Sequence, residues 1–363
     1  MWLHILAALG GIALVASALG DVFQSVVVPR SVSSRYRPSA YFGRYGWRGW
    51  REAALRLRGA ETREDVLATY APTLLTSLLI AWVAMLILGY GLIFWSLRDG
   101  LRPHPGLVDC IYFAGVTLTT IGYGDIAPVW TIDRFVAIFA AASGLGVVAT
   151  VTTFLFQTLA AFQRREAFIV TISERTGAPP SGLEFVLKHV RLGVEDDIDT
   201  VLRDAQRWLS EVLETHLAYP VLTYFRSSHD DESWVGTLGA LLDASTLLIT
   251  TTAIEHRGQA ELTLALGSHL VRDFGRFFRL PDGPDAGVDY DEFALAYRSL
   301  RELGVALRPL EDAWPDFAAT RATYATQLDA MARWWRIPPA QWVGDRSRIR
   351  SHVNAGAAAV GRR

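Results

Sequence analysis

Pro105-Gly-Leu-Val-Asp-Cys-Ile-Tyr-Phe-Ala-Gly-Val-Thr-Leu-Thr-Thr-Ile-Gly-Tyr-Gly-Asp125 is the stretch on which the reading of this chain turns. Its first part, 107–118, is apolar and compatible with a helix. As a helix it reaches roughly 18 Å, too short for a hydrocarbon core about 30 Å thick. It therefore predicts a helix that enters a bilayer and turns back. Non-helical backbone at that depth is tolerated where it lines a water-filled path. Thr119-Thr-Ile-Gly-Tyr-Gly-Asp125 offers such a backbone. To replace the water shell of a cation, successive carbonyls must face one axis, which requires backbone angles that alternate in hand. Gly122 and Gly124 adopt left-handed angles without a Cβ penalty. The Thr120 hydroxyl adds an innermost ligand.

Working outward, two long uncharged stretches flank this segment: Val66–Leu97, 32 residues, and Phe135–Gln163, 29 residues. A third, Trp2–Gly20, has 19. About 20 apolar residues cross a bilayer as a helix, so all three are predicted membrane helices. No basic residue precedes the first apolar run, which argues against a secretory signal there. Between Pro29 and Asp65 lie nine arginines against four acids. The positive-inside rule puts that loop in the cytoplasm, so the second span runs outward and the third inward. Arg164 and Arg165 then sit at a cytoplasmic edge. Asp21 lies near the same interface, where either Arg30 or Arg164 is a candidate partner and a solvated carboxylate is the alternative.

On Thr119–Asp125 and the spans around it, the sequence resembles the potassium channel superfamily in its minimal form, two membrane helices around a pore loop. The resemblance covers about 73–162 and implies a homotetramer, since one chain supplies one loop and a ring of four is needed. By position it implies that Thr120, Ile121, Gly122 and Tyr123 coordinate potassium, with Thr119, Gly124, Asp125 and Tyr112 as filter support. Some relatives carry a glutamate where this chain has Val116, so the carboxylate pair with Asp125 cannot form here; Tyr112 offers Asp125 a hydroxyl instead. Gly144 stands 22 residues after Gly122, where relatives place the inner-helix hinge, with Gly146 beside it. Small residues for close helix packing are an equal reading of both. The outward-facing filter implies that the first helix is retained with its N-terminus outside, or does not span.

The expected organisation is an N-terminal membrane helix (1–28), an arginine-rich cytoplasmic loop (29–67) and a pore module (68–163). The module comprises an outer helix 70–97, pore helix 107–118, filter 119–125 and inner helix 131–163. A helical cytoplasmic domain (164–345) and a frayed tail (346–363) follow. In the loop, aromatics alternate with arginines over 41–58. This reads either as an interfacial helix with Trp47 and Trp50 at headgroup depth or as a plain linker. The arginines are too irregular for a voltage sensor.

Beyond Gln163 charges return and apolar spacing is helical, with helices expected over 181–192, 196–218, 233–256, 258–279, 289–304 and 315–336. The fold class is thus an all-α membrane protein, a tetrameric pore-loop channel with a helical cytoplasmic domain. Balanced charge, 35 basic against 37 acidic residues, gives no ground for nucleic-acid binding. One cysteine, Cys110, excludes an intrachain disulfide and a cysteine zinc site. Glu255, His256, His269 and Asp273 suggest a metal only weakly, lacking a matched third ligand. The expected function is passive potassium conduction across a bacterial inner membrane, with the C-terminus cytoplasmic, no cofactor, and gating influenced by the cytoplasmic domain. Its partners are membrane lipids and copies of itself. The alternative is a membrane-tethered receptor or enzyme whose activity lies in that domain.

Overall fold

The computed structural model describes residues 2–27, 38–229, 231–253, 257–337 and 340–343. The chain divides into two compact units, 1–160 with 218–225, and 161–217 with 226–363. Helices dominate both; the strands among the described residues are the pair β1 (Leu101–Arg102) and β2 (Ala127–Pro128).

The first unit holds α1 (Trp2–Val22), α2 (Pro38–Leu55), α3 (Ala60–Ala68), α4 (Tyr70–Ser96) and α5 (Leu107–Leu118), and it holds the start of α6 (Thr131–Thr176). Three stretches of described residues are long and apolar enough to cross a membrane: Trp2–Val26, Glu61–Ser96 and Thr131–Thr176. This is an all-α membrane protein. With no water inside a bilayer, backbone groups are satisfied within each helix, and helix association relies on close packing. Gly11 and Gly89 provide that closeness between α1 and α4. A Cβ on Gly11 would lie 2.5 Å from the Gly89 carbonyl oxygen. One turn of π-helix, Phe23–Val27, ends the first span.

Asp21, 3% exposed, accepts a 2.8 Å hydrogen bond from Trp82 Nε1 on α4. Of the partners expected for it, Arg30 lies outside the described residues, and Arg164 forms an ion pair with Glu211. An indole N–H stabilises a buried carboxylate without bringing a second charge into apolar surroundings.

The arginine-rich loop contains two helices, α2 and α3. Trp47 is 1% exposed, its ring 5.1 Å from Tyr70 and 5.3 Å from Tyr224. Its ring packs inside the protein and is not presented to lipid, as the interfacial reading had it. Trp50 is half-buried and donates from Nε1 to the Val66 carbonyl at 2.8 Å.

The second unit contains the end of α6 followed by α7 (Gly182–Leu192), α8 (Ile198–Ala218), α9 (Trp234–Thr250), α10 (Arg257–Phe278), α11 (Tyr290–Glu302), α12 (Leu310–Arg321) and α13 (Ala325–Trp335). The helix expected over 131–163 thus runs on to Thr176, since neither Gly nor Pro interrupts 163–176. Ser181 caps α7, its Oγ accepting from the Glu184 amide at 3.1 Å. α9 is the buried axis of this unit, packed by α7, α10, α12 and α13. It stops at Thr250, short of the expected 256. Beyond it Thr252 bridges Leu307, and the Arg308 amide donates to the Thr251 carbonyl at 3.0 Å. A run of β-branched threonines favours that extended pairing over another helical turn.

The single helix expected over 315–336 is two, with a turn at 322–324. The break has a tertiary cause. Arg321 Nε donates to Asp243 Oδ1 at 2.8 Å, and the Tyr324 hydroxyl donates to the same oxygen at 2.7 Å. Both side chains bracket the turn and converge on α9. Elsewhere in this unit, Arg165 pairs with Glu166 at 2.9 Å and donates to His216 Nε2 at 3.2 Å. Burial, then the Arg165 guanidinium, holds His216 well below the usual histidine range, so the ring is neutral and accepts. The expected tail, 346–363, lies outside the described residues.

Candidate ion-conduction site

Pore helix α5 is built for its position. Gly106 precedes it, and its amide donates to Asp109 Oδ2 at 2.9 Å, closing the N-terminal turn. Cys110 and Ala114 are fully buried on the α4 side, and Phe113 stacks edge-on against Phe94 at 4.8 Å. The C-terminal end at Leu118 is the negative pole of the helix, so a cation beyond it is favoured.

Thr119–Asp125 follows as irregular backbone, exposed on the single chain. Thr120 has φ 59°, Gly122 58° and Gly124 79°. Every second residue is left-handed, an alternation that turns successive carbonyls to one side. Gly122 and Gly124 take it without strain. Thr120 does not: a β-branched residue there costs on the order of 1–2 kcal/mol, and the surrounding structure must over-determine it. That constraint is visible in the amides. Ile121 and Gly122 both donate to the Val116 carbonyl, at 2.9 and 3.2 Å. The N–H side of the loop is thus anchored to α5. Ile121 and Tyr123 are 55% and 70% exposed. The Asp125 carboxylate lies near the Tyr112 hydroxyl. Val116, standing where some relatives carry a glutamate, serves through its backbone.

The loop is closed beyond Asp125 by the β1–β2 ribbon, in which Leu101 pairs with Pro128 and Arg102 with Ala127. α6 then follows this ribbon. Ser143 Oγ lies 3.0 Å from the Tyr90 hydroxyl of α4, a link that the sequence reading missed because nothing in either residue's neighbourhood signals it.

Gly144 faces the end of α5, and a Cβ there would stand 2.2 Å from the Leu118 carbonyl oxygen. Gly146 has nothing within 4 Å of the same point. The two glycines thus differ. Gly144→Ala is expected to push the pore helix and cost about 1–3 kcal/mol of overpacking, with a matching loss of thermal stability and ion flux. Gly146→Ala is expected to keep full stability, so a change in its open probability isolates bending from packing. Equal stability of the two variants would remove this distinction.

His269 and Asp273 lie 3.1 Å apart on one face of α10; Glu255 and His256 are outside the described residues. Among the described residues no three His, Cys, Asp or Glu side chains come together in a metal-binding group.

Residues 73–161 match the ion-channel family. Over that segment the chain is similar to pore-loop ion channels. Similar proteins include an uncharacterized membrane protein, YdjJ, of Bacillus subtilis, 28% identical over 208 residues, covering 55% of this chain and 58% of that one. The calcium-gated potassium channel TvoK of Thermoplasma volcanium is 31% identical over 106 residues, 28% of this chain and 30% of that channel. Two-pore potassium channel 1 of Arabidopsis thaliana is 41% identical over 59 residues, 16% of each chain. The chain therefore spans little more than half of the first relative and less of the other two. No solved structure matches it. These likenesses point to ion transport rather than enzymatic catalysis by the pore segment.

Proposed function

We propose that this protein is a passive, potassium-selective channel of a bacterial inner membrane, working as a homotetramer. The observation that carries the reading is the left-handed alternation at Thr120, Gly122 and Gly124, held by the two amides on Val116. Rings of carbonyls from Thr120, Ile121, Gly122 and Tyr123, repeated around a four-fold axis, substitute for the hydration shell of potassium. One chain offers one such strip, so four copies are required. Thr119, Gly124, Asp125 and Tyr112 support it. Conduction needs no cofactor. The arginine excess of 29–65 favours a cytoplasmic loop, with the N-terminus outside and the C-terminus inside. The test is ion flux in liposomes holding the purified chain: potassium is expected to pass far ahead of sodium, and equal permeability defeats the reading.

Gating by the helical unit follows from chain connectivity. The segment 218–225, which joins α8 to α9, belongs to the pore-bearing unit. There the Tyr224 ring lies 5.2 Å from Tyr70, at the foot of α4, and 5.3 Å from Trp47. Tyr219 adds a 3.1 Å hydrogen bond to Gln157 of α6 and an edge-on contact with Phe154. A rearrangement that displaces 218–225 pulls on both α4 and α6, provided a signal favours one arrangement. Tyr224→Ala is expected to change open probability several-fold in single-channel recordings, with the potassium-to-sodium ratio unchanged. Unaltered open probability removes the tether from the gating account.

A further inference from the structure

The arginine-rich helix α2 is pinned to the foot of a membrane span on one side and exposed on the other. On the pinned side, Trp47 and Ala54 are each 1% exposed, and the Tyr70 hydroxyl donates to the Gly43 carbonyl at 2.6 Å. Tyr70 opens α4, within the apolar stretch Glu61–Ser96. The helix is therefore held beside the point where the span begins. On the opposite side, at three- and four-residue spacing, stand Phe42, Tyr45, Arg48, Glu52, Leu55 and Arg56, all exposed. Phe42 and Tyr45 are 54% and 58% exposed. The Arg48 guanidinium lies over the Tyr45 ring at 5.8 Å.

The composition of this face selects its occupant. From 38 to 58 the sequence has five arginines (Arg44, Arg48, Arg51, Arg56, Arg58) and one acid, Glu52. That acid is paired to Arg51 at 3.1 Å. The other acids of the loop, Glu61, Glu64 and Asp65, are on α3. Exposed aromatic rings beside arginines suit the headgroup layer, where the ring body meets acyl chains and its polar edge meets water. A guanidinium matches a phosphate diester in geometry and charge. We propose that the exposed face of α2 binds the headgroups of anionic phospholipids, with Arg48 and Arg56 on phosphate and Phe42 and Tyr45 seated at the acyl boundary. The site is distinct from the filter. It lies on the helix that also cages Tyr224, so lipid charge bears on the same junction as the tether.

The test uses the full chain. Cys110 is fully buried, which leaves a Tyr45→Cys variant labelled at that position with an environment-sensitive dye. Its emission is expected to shift blue in vesicles of phosphatidylcholine plus phosphatidylglycerol relative to phosphatidylcholine alone. Adding Arg48→Gln and Arg56→Gln should reduce the shift several-fold, as should high salt. The ion flux of the unlabelled Arg48→Gln/Arg56→Gln protein should lose its dependence on phosphatidylglycerol. Identical emission in both vesicles, or a shift indifferent to the arginines, overturns the proposal. A shift produced by soluble glycerol phosphate in neutral vesicles assigns the face to free phosphate and also overturns it. A shift that follows protein concentration and ignores lipid charge makes the face a contact between copies, and the proposal falls equally. The dye readout does not need ion flow, so its failure is separate from failure of the channel reading.

Discussion

Gly122→Ala is expected to end selective conduction while the protein stays folded. Gly122 has φ 58°, and on the single chain no heavy atom lies within 4 Å of the place a methyl group would take, so the substitution meets strain rather than collision. An alanine in that conformation costs on the order of 1–2 kcal/mol, and the proposed tetramer incurs it four times around one axis. The backbone relieves it by rotating, which turns a carbonyl out of its ring and breaks its amide's hold on Val116. A cation that loses part of its ligand shell at one ring faces a dehydration cost that the pore no longer offsets. In liposomes, potassium flux should fall at least tenfold, or sodium should pass as freely. Helix content by circular dichroism should match the parent. Undiminished selectivity in Gly122→Ala would falsify the role given to left-handed backbone at this position.

Arg321→Met is expected to produce the largest loss of stability in the helical unit. Asp243 and Arg321 are both fully buried as side chains, joined at 2.8 Å. Arg321 also donates to the Ala286 and Trp342 carbonyls. Removing the cation leaves a buried carboxylate with, among the described residues, only the Tyr324 hydroxyl, and such a loss costs about 3–5 kcal/mol. Against a domain stability of about 5–15 kcal/mol, that brings the unit close to unfolding. Chemical denaturation followed by circular dichroism reads the effect directly. The double variant Asp243→Leu/Arg321→Met should recover much of it, since an apolar pair replaces the ion pair with no orphan charge. If the double variant is as unstable as the sum of the singles, the pair is not coupled and the tertiary cause given for the α12–α13 turn fails.

The parts of this protein that were legible in the sequence are those in which the physical cause is local. Two glycines one residue apart, between two long uncharged stretches, report a backbone that must turn left-handed inside a bilayer, because no other residue type does so without strain. Uncharged length reports membrane spans because hydrocarbon thickness is fixed. Thr120 was legible only in part: its hydroxyl suggested a ligand, but its own left-handed φ depends on the anchoring of Ile121 and Gly122 to Val116.

What the sequence could not settle involves partners distant along the chain. Asp21 and Trp82 are 61 residues apart, Asp243 and Arg321 are 78, and Asp243 and Tyr324 are 81. For Asp21 an arginine partner and a solvated carboxylate were equally open readings, since attraction and hydration both suit an interfacial carboxylate; the packing of α1 on α4 buries it beside an indole. The same holds for Trp47, whose place in an amphipathic pattern fits equally well against lipid or against Tyr70. By itself the sequence determined the span lengths, the alternation of the filter and the helical character of the rest, because each is fixed by the covalent chain within a few residues. Only the tertiary structure decided which face of α2 is free, why Gly144 has no side chain and where α12 ends, because each depends on which surfaces meet across the fold.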